Sequence, residues 1–272
     1  MDKLSPAVRR TLDSFLICFF SALLISLAGC DKLKFPSSSR ISTPRASQPP
    51  GNHAPRLAII LDDVGSDPAA VDAIFALSYP LTLSILPNHP HSTEIAEEAH
   101  RRGYELMLHL PMESQSKETP ESQELRPGAT TSEVSRLLGE MLQTVPHAVG
   151  VNNHQGSLAT SDPRLMDELM PLLRQRKLFF IDSRTTPATV AYDSAERDGV
   201  RAGFRNVPFL DDVQEESAIR RQLEHAIRGA KEKGEAIVIG HPHPETLRVL
   251  RQILPQVQSQ GVALVHASAL VH

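Results

Sequence analysis

The chain has no tryptophan, and phenylalanine and tyrosine bring its aromatic content to only 4% of 272 residues. Both cysteines, Cys18 and Cys30, lie in the N-terminal segment, so the rest can hold neither an internal disulfide nor a thiolate metal site. Charge of one sign is also missing: 28 Lys and Arg stand against 32 Asp and Glu, a formal net charge of −4. With no basic surplus and few rings to stack on, nothing points to a nucleic-acid surface. No internal repeat is present. The turn after the first long apolar run of the body, Asp62-Asp63-Val64-Gly65-Ser66, is not the glycine-rich fingerprint of a dinucleotide site. What the chain has in surplus is histidine, 12 in all, several directly after apolar runs.

The N-terminus reads as an address. Lys3, Arg9 and Arg10 precede an uncharged run over residues 15–29, short for a membrane span and right for a signal-peptide core. It ends in Leu27-Ala28-Gly29-Cys30, which resembles the bacterial lipobox. That resemblance implies cleavage before Cys30, acylation there, and a membrane anchor made stable by more than one acyl chain. An uncleaved anchor or an ordinary signal peptide are the other readings; each also places the body outside the cytoplasm, on the periplasmic side of the envelope. Residues 31–55 hold Ser37-Ser38-Ser39, Pro36, Pro44, Pro49, Pro50 and Pro55 without apolar periodicity, the composition of a disordered tether. The expected organisation is a signal segment over 1–30, a tether over 31–55 and one domain over 56–272.

In that domain apolar runs and helix-like segments alternate. The runs are Leu57–Leu61, Leu81–Leu86, Glu105–Leu108, Ala148–Val151, Leu178–Ile181, Ala236–Ile239 and Val262–Val265, with a weaker one near Asn206–Leu210. Between them, residues 67–77, 92–102, 131–143, 162–177, 215–233 and 244–258 carry helical periodicity, several opening on a capping residue and ending near glycine. Seven or eight strands alternating with helices imply an α/β fold with a mainly parallel sheet, either a closed or nearly closed barrel or an open sheet.

Nearly every strand is followed by a carboxylate or imidazole: Asp62 and Asp63, then Asn88-His89, His109, Asn153-His154, Asp182 with Arg184, Asp211-Asp212, and His241 with His243. In parallel α/β folds the carboxyl ends of the strands converge on one face, where ligands bind. Charges placed for solubility would sit on helices as Lys and Glu instead. His and Asp without Cys suit Zn²⁺ or a similar divalent metal in a three-ligand site with an open position. Asp63, His109 and His154 form the best set.

Taken together, Ile59–Gly65 with its Asp pair, Leu83-Ser84-Ile85-Leu86-Pro87, His109-Leu110-Pro111-Met112-Glu113, Arg126-Pro127-Gly128-Ala129, Gly150–Ser157, Phe180–Thr185 and Ile239–His243 resemble the divergent polysaccharide deacetylases. The resemblance covers about residues 55–271. It implies the NodB-like deformed (β/α) barrel of carbohydrate esterases, with a metal at the strand ends. It further implies Asp62 as catalytic base, Asp63, His109 and His154 as metal ligands, and His241 as general acid. Asp182 becomes a further catalytic-pocket carboxylate that orients His241 or Arg184, and Asn88, His89, Asn153 and Arg184 become substrate contacts. One departure is visible: His109 has no second histidine four residues on, as NodB enzymes have in a His-x-x-x-His segment, so His154 must stand in. The implied activity is metal-dependent deacetylation of an N-acetylated envelope polysaccharide. The alternative is a non-enzymatic glycan- or protein-binding module on the same scaffold.

Overall fold

The computed structural model describes residues 54–116 and 119–272. The expected signal segment, Cys30 and nearly all of the expected tether lie outside the described residues. Among the described residues, fifteen α-helices and β-strands alternate in sequence. They are β1 (Arg56–Val64), α1 (Pro68–Phe75), β2 (Thr82–Ile85), α2 (Ser92–Arg101), β3 (Glu105–Met112), α3 (Thr131–Thr144), β4 (Gly150–Gln155), α4 (Pro163–Gln175), β5 (Phe179–Asp182), α5 (Ala191–Arg197), β6 (Ala202–Phe204), α6 (Glu216–Lys233), β7 (Glu235–Gly240), α7 (Pro244–Ser259) and β8 (Ala263–Val265). The helix starts follow their side chains. Asp67 accepts from the Ala69 and Ala70 amides ahead of Pro68, and Thr130 and Glu133 form a reciprocal capping box.

The strand order is β6-β5-β4-β3-β2-β1-β7, with β8 also against β1, and every pairing is parallel. The gap between β6 and β7 is bridged by the chain after β6. Asn206 donates its amide to Ile237 O and accepts from Ile237 N through its side chain, and the Leu210 amide donates to Ile239 O. The sheet therefore curls into a nearly closed barrel. The expected weak strand at Asn206–Leu210 is this sealing segment; the strand itself is Ala202–Phe204. Pro208 removes a ladder donor within the segment, which explains why it does not pair as a regular strand.

Alternation sorts the side chains into two layers. Leu57, Ile59, Leu61, Leu106, Leu108 and Phe180 pack outward against the helices. Ala58, Ile60, Met107, Phe179, Ile181, Ile237 and Ile239 fill the barrel interior. Gly150 is required there, because a Cβ at that position would lie 2.3 Å from the Phe179 ring. Two expectations fall short of the fold. β3 and β4 extend through His109 and His154, past the apolar runs that announced them. Helix α5 has no clear signature in the sequence, since its seven residues open at Val190 with no side-chain cap.

Candidate active site at the barrel mouth

The interior parity of each strand, carried two residues beyond its apolar part, delivers the polar groups of the mouth. Ile60 leads to Asp62, Met107 to His109, Gly150 to Asn152, Ile181 to Ser183 and Ile239 to His241. Asp62, His109, Asn152 and Ser183 are all buried. Strict alternation would turn Asp63 away from this group. Instead β1 shifts register between Leu61 and Val64, and Asp63 takes a left-handed conformation with φ of 57°. A bulge with Asp in that conformation is tolerable, and it brings both carboxylates to one cavity.

Asp63 Oδ1 lies 3.1 Å from His109 Nε2 and 3.0 Å from His154 Nδ1, and those two nitrogens are 3.1 Å apart. Asn152 fixes the orientation of both neighbours. Its Nδ2 donates to Asp62 Oδ1 at 2.8 Å, so its Oδ1 is the acceptor for His109 Nδ1 at 2.8 Å. Ser84 donates to the same Oδ1. His109 therefore turns its Nε2 toward Asp63 and the cavity. On the other side, His241 Nε2 approaches Asp63 Oδ2 at 3.8 Å, while its Nδ1 meets Asp211 Oδ1 at 2.9 Å. Asp211 Oδ2 accepts from the His241 amide and from Thr246 Oγ1.

The electrostatics follow from burial and charge. Burial works against the Asp63 anion, but the imidazoles of His109 and His154 outweigh it and hold the carboxyl far below the usual carboxylate range. Burial raises Asp62, the histidines on either side only partly offsetting it. Burial also pulls on the His241 imidazolium, yet Asp211 prevails and its pKa is pushed up to about 9. His109 is likewise raised, burial being outweighed by Asp62 and Asp63.

Asp63, His109 and His154 fit a divalent cation. Their ligand atoms converge, and Asp63 Oδ1 is buried without a hydrogen bond of its own. A buried oxygen left so is costly unless something else satisfies it. One carboxylate and two imidazoles, with no thiolate, suit a catalytic zinc-type site.

The remaining expected residues divide. Asn153 and Arg184 line the cavity of about 590 Å³ that opens over the Asp–His cluster. The Asn153 side chain is committed to the scaffold, donating to Gln155 O and accepting from the Ser183 amide. Asn88 and His89 do not line it: Asn88 donates to Thr144 and Gln123, and His89 contacts Ser66 and Glu121. Asp182 does not orient His241. It shares the outward parity of Phe180, so its oxygens accept from the Arg184 amide, Thr189 Oγ1 and the Tyr192 amide on the α5 side. The carboxylate on His241 is Asp211, which sequence reasoning placed at a strand end without a role. Asn152 is the other group without an expected role, although the alternation of β4 points it inward. Glu121, whose Oε1 lies 3.9 Å from His154 Nε2, comes from a long loop with no periodic signal.

Residues 59–271 match the family described as divergent polysaccharide deacetylase. Over 219 residues the chain is 40% identical to the uncharacterized protein YibQ of Escherichia coli K12, covering 80% of this chain and 68% of that one. Among solved structures it is similar to the uncharacterized protein ATU2773 of Agrobacterium tumefaciens C58, with a TM-score of 0.77, 22% identity, and coverage of 81% and 91% of the two chains. It is also similar to T48 deacetylase, solved with substrate, with a TM-score of 0.52, 13% identity, and coverage of 80% and 90%. At these identities the two structures establish a shared fold.

Proposed function

Because the chain belongs to the divergent polysaccharide deacetylases, and its three metal-fitting side chains face an acid–base pair, we propose that it is a metal-dependent hydrolase. Its substrate in this reading is an N-acetylated cell-envelope polysaccharide, and the N-terminal segment exports and anchors the domain. The observation that carries the reading is the convergence of Asp63 Oδ1, His109 Nε2 and His154 Nδ1 beside Asp62 and His241.

Asp63, His109 and His154 would hold a divalent cation, zinc being compatible with one carboxylate and two imidazoles, and such an ion would supply the Lewis acidity to acidify water and polarise a carbonyl. Asp62, oriented by the Asn152 amide, takes the proton of the attacking water. His241, charged through its contact with Asp211, gives its proton to the departing amine nitrogen. The two groups need opposite protonation states at one pH. A carboxylate next to a bound cation and an imidazole beside a carboxylate meet that need. Acetate thus leaves with the acyl carbon, and a free amine remains on the sugar.

The test is zinc content and acetate release from N-acetylated oligosaccharides, wild type beside Asp62→Asn. The expected result is stoichiometric zinc in both and turnover in the wild type alone. Turnover retained by Asp62→Asn removes the base assignment. Absence of zinc from the wild type, even after reconstitution, moves the reading to the binding module.

A further inference from the structure

The cavity is lined by two arginines, Arg184 and Arg205, neither of which has a carboxylate within ion-pair distance among the described residues. Arg205 is half-buried and locked: Nε donates to Ser183 O at 2.8 Å, Nη1 to Val207 O at 2.6 Å and Nη2 to Arg184 O at 3.0 Å. Its guanidinium also lies over the Phe209 ring, 4.0 Å from the centroid. These bonds use three of its five N–H groups and leave one on each Nη. Arg184 is held by stacking alone, its guanidinium 3.4 Å from the Phe204 centroid. Neither arginine pairs with a carboxylate among the described residues; Asp182 lies behind Arg184 on the helix side, and Asp212 is the remaining carboxylate on this part of the cavity rim.

From this juxtaposition, and resting on the deacetylase reading, we infer that the substrate is an acidic glycan, with a carboxylate on the sugar next to the N-acetylated one seated between Arg184 and Arg205. A guanidinium preorganised by stacking and backbone bonds presents its edge to a carboxylate at little entropic cost. Phe209, which stands beside His241 with ring centroids 5.5 Å apart, offers an apolar face to the sugar between the two groups.

The experiment compares an N-acetylated oligosaccharide bearing a free carboxylate on the neighbouring sugar with the same compound after reduction of that carboxyl to an alcohol. Binding is measured calorimetrically on the zinc-loaded full chain, and acetate release is followed in parallel. The wild type is expected to bind the acid at least about tenfold tighter, as one charge-assisted pair warrants. Arg184→Gln is expected to lose that preference, so that the two compounds bind alike, and Arg184→Lys to keep part of it. Arg184 is the position to vary because its side chain carries no scaffold bond, unlike Arg205. Equal binding of the two compounds by the wild type, or binding of neither at millimolar concentration, overturns the inference. A preference without acetate release keeps it and removes the deacetylase reading, whereas acetate release without preference does the reverse.

Discussion

Two clusters at the barrel mouth have the same composition, one aspartate and two histidines with converging ligand atoms: Asp63–His109–His154 and Asp211–His241–His243. By residue type either could hold a metal. Their hydrogen bonds separate them. Asp63 Oδ1 is buried with no hydrogen bond, and its neighbours are two imidazole nitrogens. Asp211 is fully engaged, Oδ1 by His241 Nδ1 and Oδ2 by the His241 amide and Thr246. His243 Nε2 is occupied too, 3.1 Å from the Gln214 amide nitrogen. A carboxylate with an oxygen left over suits a cation, whereas one whose two oxygens both accept hydrogen bonds suits the orientation of an imidazolium. Satisfaction of the acceptor is the better guide to role than the identity of the residues.

The comparison breaks most readily at the first cluster. His109→Ala and His154→Ala are each expected to abolish stoichiometric zinc and reduce acetate release to background. Zinc retained in either would mean that the convergent atoms are not the ligand set. At the second cluster, Asp211→Asn is expected to keep zinc while kcat falls by roughly 10²–10⁴, the range for a general acid. The pH profile carries the sharper sign. His241 serves as acid only while protonated, so the alkaline limb of kcat/KM falls as pH rises through its pKa, pushed up to about 9 by Asp211. A bound cation nearby places the limb lower, and Asp211→Asn moves it lower again. A limb unmoved in that variant would detach His241 from the acid role.

A smaller effect is expected where the clusters are linked to the scaffold. Asn152 holds Asp62 with one end of its amide and His109 with the other. Asn152→Ala frees the His109 ring and leaves its Nδ1 without a buried partner. Zinc affinity should fall by roughly 10–100-fold, as for other groups that orient a metal ligand. Titration with a competing chelator measures it. Unchanged affinity would show that Ser84 and the walls of the barrel suffice to hold the ring.

Much of this was legible before any coordinates. Alternation of apolar runs with capped helical segments implied the parallel sheet, and polar residues at the strand ends implied the face where a site forms. Period-two parity goes further than those runs alone. Counting two residues on from Ile60, Met107, Gly150, Ile181 and Ile239 reaches Asp62, His109, Asn152, Ser183 and His241, the groups that meet at the mouth. Asp182 shows the cost of ignoring that count, because it is one position out of phase and holds the Arg184 amide, Thr189 and the start of α5 rather than His241. Asp63 breaks the rule in the other direction, through a bulge that no propensity in Leu61-Asp62-Asp63-Val64 announces. Asn88 and His89 follow a strand as the others do, yet the chain turns outward there, with Asn88 at φ of 60°. Pairings made by loop residues, such as Glu121 with His154 or Asp211 with His241, depend on closure of the whole barrel and have no local signature.

The smallest expected effect lies at His243, and it tests the comparison at its weakest point. His243 is the residue that gives the second cluster its resemblance to the first. Its ring centroid is 5.7 Å from that of His241, and its backbone opens helix α7 without a side-chain cap. Its one side-chain hydrogen bond joins it to Gln214 on the surface. If Asp211 is committed to orienting His241, His243 contributes neither a ligand nor a proton. His243→Gln should then leave zinc stoichiometry, kcat and the alkaline limb within about twofold of wild type, as for other surface substitutions. A second equivalent of zinc bound by the wild type and lost in His243→Gln would reverse the assignment. Asp211 would then share its lone pairs with a cation, and the two clusters would be alike in function as they are in composition.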